Sequence, residues 1–128
     1  FSALKSGNRP EIYGESYPTP DGSCIRDYIH VQDLAKAHIA ALKRCESGFT
    51  SAIYNVGSGR GYSVKEMMNQ ISETLGKNIN PIVALARAGD SPKLIASIEK
   101  IERELGWRPE ATLKEMIDSS WAAESANL

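Results

Sequence analysis

The stretch from Asp21 to His38 constrains the fold most, because it contains a turn, a short strand and the start of an amphipathic helix. Residues 24–31 alternate as the residues of a strand do. Asp33 is a typical N-cap residue, and we expect the helix that follows it to end at Gly48. One stripe of this helix carries the residues that we expect to pack inward: Leu34, Ala37, His38, Ala41, Leu42 and Cys45.

The rest of the chain alternates short apolar runs with capped helical patterns. The runs predict short strands or extended segments at residues 11–14, 52–56, 79–86 and 93–96. The helical patterns cover residues 1–7, 63–76, 97–105 and the stretch after residue 112. Ser63 with Glu66, and Thr112 with Glu115, have the spacing of capping boxes. Short strands that alternate with amphipathic helices predict an α/β fold, with α+β character in an isolated fragment.

Composition limits the partners of the chain. Its 128 residues fit one domain, and a net charge of −1 excludes a strongly basic nucleic-acid-binding or membrane-surface protein. We therefore expect neither nucleic acid nor a membrane as a partner, and any bound anion must be met by a few placed cations. Cys24 and Cys45 have the spacing of neither a zinc site nor a disulfide framework, which favours a soluble cytoplasmic protein without a metal.

Two loop-and-strand segments carry side chains suited to binding an anion. Arg26 and Tyr28 lie two residues apart on a predicted strand, so both side chains project to one face and could reach one phosphate. An internal ion pair between Arg26 and Asp27 or a glutamate is an equal alternative. Arg87 and Asp90 in a second loop offer another cation and a carboxylate that could accept from a sugar hydroxyl. Two arginines from separate elements can together offset a diphosphate.

Other residues have simpler interpretations. Gly57, Gly59 and Gly61 follow a predicted strand, but the third glycine of a dinucleotide fingerprint is missing, and we predict a turn that serves backbone geometry alone. Asp27 and His30 are expected to hold loops in place. No residue has the sequence context of a catalytic nucleophile.

Taken together, these motifs resemble the UDP-glucose 4-epimerases of the extended short-chain dehydrogenase/reductase superfamily. The segments that carry the resemblance are residues 13–34, 54–64, 87–90 and 105–109. The resemblance covers essentially all 128 residues, with these motifs in the right order. The resemblance is to the C-terminal, substrate-binding part of the family, so residues 1–128 are expected to form a single nucleotide-sugar-binding region without the N-terminal NAD-binding Rossmann domain. Phe1 begins a helical pattern without a cap, and we expect a piece of a longer polypeptide.

The resemblance implies a role for each matching position in binding a UDP-hexose. Arg26 and Arg87 would bind the diphosphate, Asp90 would bind the ribose, and Tyr28 would support the diphosphate site.

The same resemblance places the uracil and the hexose. The backbone from Glu11 to Tyr13 would run beside the uracil. Leu94 stands where family members carry the residue that limits hexose size, and a side chain smaller than tyrosine there implies tolerance of N-acetylhexosamine substrates.

The family implies an NAD-dependent UDP-glucose/UDP-galactose 4-epimerase of galactose metabolism as the parent enzyme, acting as a homodimer. Its chemistry uses a Tyr-x-x-x-Lys pair and a glycine-rich NAD site, and neither motif occurs in these 128 residues. We therefore expect no catalytic residue and no bound NAD in this chain, and no epimerase activity from it alone. Apolar surface exposed by truncation would favour self-association.

Two alternatives stay open at this point. One is a related nucleotide-sugar decarboxylase or dehydratase, because the pattern from Arg26 to Asp33 has relatives there. The other is a non-catalytic module that binds a nucleotide or a protein.

Overall fold

The computed structural model describes residues 1–48 and 51–126. The helices in this part of the chain are α1 (Ser2–Lys5), α2 (Val31–Glu46), α3 (Val64–Leu75), α4 (Glu99–Leu105) and α5 (Leu113–Ser125). The strands are β1 (Glu11–Tyr13), β2 (Ile25–Arg26), β3 (Tyr62–Ser63), β4 (Ile82–Ala84) and β5 (Lys93–Leu94). This order of mixed helices and strands confirms the predicted α/β class.

The strands form two small sheets. β1 pairs in parallel with β4, and Tyr13 lies opposite Ala84. β2 lies between β3, to which it is antiparallel, and β5, to which it is parallel. Arg26 is opposite Tyr62 on one side and Leu94 on the other. Because directly opposite residues project to the same face of a sheet, these three side chains share one face.

Helices α2 and α4 enclose the hydrophobic core. Ala37 of α2, Ile101 of α4 and Trp107 form a buried cluster. The Trp107 indole Nε1 donates a 3.0 Å hydrogen bond to the Asp33 carbonyl oxygen, so the ring is both buried and oriented. The Asp33 carboxylate accepts from the backbone N–H of Glu110 and of Ala111, at 3.0 and 2.9 Å, and holds the segment before α5 against α2.

Both predicted capping boxes are confirmed. The Ser63 hydroxyl accepts from the Glu66 N–H, and the Glu66 carboxylate accepts from the Ser63 N–H, at the start of α3. Thr112 and Glu115 make the same reciprocal pair at the start of α5. Each box satisfies backbone donors that a helix N-terminus leaves unpaired.

The predicted start of α2 is wrong. His30, not Asp33, is the N-cap, and its Nδ1 accepts a 3.0 Å hydrogen bond from the Gln32 N–H. Asp33 lies inside the first turn because its carboxylate has distant partners near α5. The strand predicted over residues 24–31 is also too long, since only Ile25 and Arg26 pair with neighbouring strands.

The outward face of α2 differs from the predicted packing stripe. The buried side of the helix is Asp33 and Ala37. His38 and Cys45 are exposed, and Leu42 is 60% exposed. The apolar spacing correctly predicts a helix. The side of this helix that carries Leu42, however, faces away from the described core.

The predicted strand at residues 52–56 is not a strand in the described structure. It is held by side chains instead: the Lys100 ammonium donates to the Ile53 carbonyl oxygen at 2.9 Å, and the Tyr54 hydroxyl donates to Glu104 Oε2 at 3.0 Å. Ile53 is 84% exposed. The apolar run at residues 79–86 forms strand only over Ile82–Ala84.

None of the helices in the described ranges is both long and apolar enough to cross a bilayer.

Candidate functional site

Arg26 is held in place at the end of β2. Its Nη1 donates to the carbonyl oxygens of Ser91, at 2.7 Å, and of Ile25, at 3.0 Å. Its Nη2 lies 3.4 Å from Asp90 Oδ1. The internal ion pair considered from the sequence is therefore present, but its partner is Asp90 and not Asp27 or a glutamate. A guanidinium has five N–H donors, and the Nε–H has no partner among the described residues, so donors stay free for a ligand.

The turn at residues 87–90 connects the two sheets through the side chains of Arg87 and Asp90. The Asp90 N–H donates to the Arg87 carbonyl oxygen at 3.3 Å, which closes the turn. The Arg87 guanidinium carbon lies 3.6 Å from the centre of the Tyr13 ring, a cation–π contact, while the Tyr13 hydroxyl donates to Glu11 Oε2 at 2.5 Å. One turn thus contacts β1 through Arg87 and β2 through Asp90.

Two further predicted site residues lie next to Arg26. Leu94 is directly opposite Arg26 on β5 and is 64% exposed. Tyr28 follows β2 and is half-buried. Burial raises the pKa of the Tyr28 hydroxyl, and the neighbouring Arg26 charge offsets part of that rise. The phenol therefore stays protonated at neutral pH and can donate a hydrogen bond.

Two separate grooves are lined by predicted site residues. One of about 560 Å³ is lined by Arg26, Asp27, Leu94 and neighbouring segments. Another of about 580 Å³ is lined in part by Glu11 and Tyr13. Arg87 and Asp90 contact Tyr13 and Arg26, one residue from each groove, and the individual binding roles of all these residues stay predictions.

The glycine turn at residues 57–61 is filled from inside the protein. The Asp27 carboxylate accepts hydrogen bonds from the N–H groups of Ser58 and Gly59, at 2.7 and 3.1 Å. A Cβ atom at Gly57 would collide with this carboxylate, and one at Gly61 would collide with Ile25. The turn therefore serves backbone geometry, as its spacing predicts, and the amides of Ser58 and Gly59 are not available to cradle a pyrophosphate.

Two tyrosines that the sequence analysis did not assign to the site also lie beside it. Tyr62 shares the sheet face of Arg26, which only the strand register reveals. Tyr17 has a buried hydroxyl, whose pKa is raised by burial and then by the Cys24 thiol, with smaller opposing effects of Asp90 and Arg26. Its ring packs against Gly14, so it supports the loop behind the Arg26–Asp90 pair.

The described residues contain no group of three or more His, Cys, Asp or Glu side chains placed to hold a metal ion.

The chain matches the family model described as GDP-mannose 4,6 dehydratase over residues 12–120. It belongs to this family, which has the extended short-chain dehydrogenase/reductase fold. The UDP-glucose 4-epimerase of Corynebacterium glutamicum is 50% identical over 126 residues, covering 96% of this chain and 38% of that protein. The UDP-glucose 4-epimerase of Halalkalibacterium halodurans is 43% identical over 120 residues, covering 93% of this chain and 36% of that protein.

Solved structures give the same relationship. A UDP-glucose-4-epimerase from Stenotrophomonas maltophila, with bound NAD and formylated UDP-arabinopyranose, superposes with a TM-score of 0.91 at 33% identity, covering 99% of this chain and 39% of that one. A UDP-glucose 4-epimerase from Bifidobacterium longum, in complex with NAD+ and UDP, gives 0.81 at 38% identity, covering 91% and 35%. The predicted resemblance is confirmed, and the chain spans well under half the length of these relatives.

Proposed function

We propose that residues 1–128 form the single nucleotide-sugar-binding region of an NAD-dependent UDP-glucose/UDP-galactose 4-epimerase, a cytoplasmic isomerase of galactose metabolism. The observation that carries this proposal is the turn at residues 87–90, which holds Arg87 against Tyr13 and Asp90 beside Arg26. Two cations from separate elements, Arg26 and Arg87, are thereby linked through one four-residue turn in a chain whose net charge is only −1. The names of the relatives support the same function.

In this proposal the charges of the site match a nucleoside diphosphate sugar. Arg26 and Arg87 offset the two negative charges of the diphosphate, and the Arg26 fork can donate in pairs to phosphate oxygens. Asp90 accepts from a ribose hydroxyl, and Tyr28 donates from the edge of the diphosphate site. The backbone from residue 11 to residue 13 borders the uracil.

Leu94 sets the space for the hexose. It projects on the same sheet face as Arg26 and is largely exposed, so it leaves room for a 2-acetamido group. We propose that the parent enzyme accepts UDP-N-acetylhexosamines. In the full-length parent enzyme, Leu94→Tyr is expected to reduce turnover of UDP-N-acetylglucosamine relative to UDP-glucose, and equal ratios in both enzymes would refute this proposal.

Bound to the parent enzyme, NAD would supply the hydride-transfer chemistry. The glycine turn at residues 57–61 does not fit the pyrophosphate of that cofactor, because the Ser58 and Gly59 amides are already bonded to Asp27. We therefore propose that this chain alone binds UDP-hexose and does not epimerise it. The parent acts as a homodimer, and this chain self-associates through its exposed apolar side chains, such as Leu85, which is 91% exposed.

Calorimetry on the purified chain tests the proposal. We expect heat on titration with UDP and none with NAD. Arg26→Met should weaken UDP binding about tenfold to a hundredfold, because charge-assisted hydrogen bonds contribute about 1.5–3 kcal/mol. Arg103→Met is the matched control, since Arg103 lies on α4 and, among the residues that the structure describes, pairs only with its neighbour Glu104. A flat UDP titration, or equal affinities in Arg26→Met and the unmodified chain, would contradict the proposal.

The second candidate is a nucleotide-sugar dehydratase or decarboxylase, favoured by the description of the matching family model. The two functions differ in nucleotide. An epimerase site should prefer UDP, whereas tighter binding of GDP or dTDP would favour the dehydratase. Binding of none of these nucleotides would favour a non-catalytic module that binds a protein.

A further inference from the structure

Asp27 is the most highly hydrogen-bonded side chain next to the proposed site, and the binding roles above do not use it. Its Oδ1 accepts from the Ser58 N–H at 2.7 Å and from the Ser58 hydroxyl. Its Oδ2 accepts from the N–H groups of Gly59 and Ala96, both at 3.1 Å. One carboxylate thus satisfies three backbone donors and one hydroxyl.

These donors come from two segments that border the same groove as Arg26. Ser58 and Gly59 follow residues 54–56, which line that groove, and Ala96 lies two residues after Leu94. Asp27 itself is the residue after Arg26. Its carboxylate therefore connects the three segments that surround the groove, each within a few residues of a side chain that would contact the ligand.

The cradle around Asp27 is closely packed and consists of hydrogen-bond donors. A Cβ at Gly57 would collide with the Asp27 carboxylate and with the Ala96 side chain. All four groups that contact the carboxylate donate a hydrogen. A carboxamide of the same size would turn an NH2 group towards two of them, leaving donors unpaired in a partly buried place.

We propose that Asp27 is a positioning residue for the nucleotide-sugar site. By tying β2 to the glycine turn and to the segment after β5, it fixes the direction of the Arg26 guanidinium relative to Leu94. This inference rests on the proposed function, because the ligand that Arg26 meets is the diphosphate assigned there.

The test compares Asp27→Asn with Asp33→Asn by UDP calorimetry on the whole chain. Asp33 is a matched control, since its carboxylate also accepts from two backbone N–H groups but holds the segment before α5. We expect Asp27→Asn to weaken UDP binding at least tenfold, and Asp33→Asn to lower the urea midpoint without changing UDP affinity. Ser58→Ala removes only the hydroxyl donor and should weaken UDP binding a few-fold. This variant replaces Asp27→Asn in the test if Asp27→Asn does not fold.

Chemical rescue separates positioning from general structural support. Asp27→Ala empties the cradle, and added formate can occupy it as a free carboxylate. We expect formate to restore much of the UDP affinity of Asp27→Ala, and chloride at equal ionic strength to restore none.

Three results would overturn the inference. Asp27→Asn could bind UDP as tightly as the unmodified chain, Asp27→Asn and Asp33→Asn could lose affinity in proportion to lost stability, or formate could act no differently from chloride. If the unmodified chain binds no UDP, the proposed function fails first and the inference fails with it.

Discussion

Two regions of the molecule are held together by different means. In the helical region, formed by α2, α4 and α5, buried apolar side chains around Trp107 pack between α2 and α4, and Asp33 joins α2 to the segment before α5. In the site region, formed by β1, β2, β5 and the turn at residues 87–90, the strands are two or three residues long and polar contacts join them. We therefore expect the helical region to stay folded when a residue of the site region is replaced. The site region itself depends on a few individual side chains.

The largest expected effect is a loss of stability in the helical region. Trp107→Ala removes a buried ring and its hydrogen bond to Asp33, and we expect a loss of about 3–5 kcal/mol in unfolding free energy, measured by urea denaturation. Trp121→Ala is the control, since Trp121 is only partly buried and contacts Phe1 near the chain terminus. Equal losses in both variants would mean that the core is not centred on Trp107.

The next effect acts on the site region alone. Arg87→Met removes the cation above the Tyr13 ring, and we expect UDP binding to weaken about tenfold or more while the urea midpoint changes little. Calorimetry and denaturation on the same sample measure both. A variant that loses stability as well would show that this cation–π contact also supports the fold.

The pH dependence of stability tests how Asp33 holds the helical region together. Burial acts to raise the pKa of the Asp33 carboxyl, but the N–H donors of Ala111 and Glu110, together with the Lys36 charge, outweigh it and hold this pKa below its usual range. The stabilisation is therefore present above about pH 4 and is lost as the pH falls through the folded-state pKa. We expect Asp33→Asn to flatten the acid side of the stability profile measured by urea denaturation. An unchanged acid slope would contradict this assignment.

The smallest effect is the loss of one cap. Thr112→Ala breaks the reciprocal pair with Glu115 at the start of α5, and we expect a loss of about 1 kcal/mol in unfolding free energy with unchanged UDP affinity. Thr112→Ser keeps a hydroxyl and should retain most of the stability. A loss of UDP affinity in Thr112→Ala alone would show that the two regions are coupled.

Features set by neighbouring residues could be predicted from the sequence. The two capping boxes are examples, because the first and fourth residues of each box make its hydrogen bonds by themselves. The helical periodicity of α2 and the turn containing Arg87 and Asp90 could be predicted for the same reason, because each depends on one contiguous segment. The family resemblance rests on four segments, but each of these is a local motif.

Features set by distant partners could not be predicted. Asp33 looked like an N-cap because the amides of residues 110 and 111, which it binds, are remote in sequence. Arg26 had an adjacent carboxylate in Asp27, yet it pairs with Asp90, since Asp27 is occupied by the glycine turn. The position of Tyr62 on the same sheet face as Arg26 depends on strand register, which the pattern of a single sequence does not specify.

The connection from β4 to β5 has a consequence for comparing relatives. It leaves the sheet of β1, passes through Arg87 and Asp90, and joins the sheet of β2. The number of residues in this connection thus limits how far apart the two sheets that carry Tyr13 and Arg26 can lie. In a relative with an insertion here the charges need not keep the same separation, so we expect loop length, and not only residue identity, to affect whether the proposed pyrophosphate site is retained.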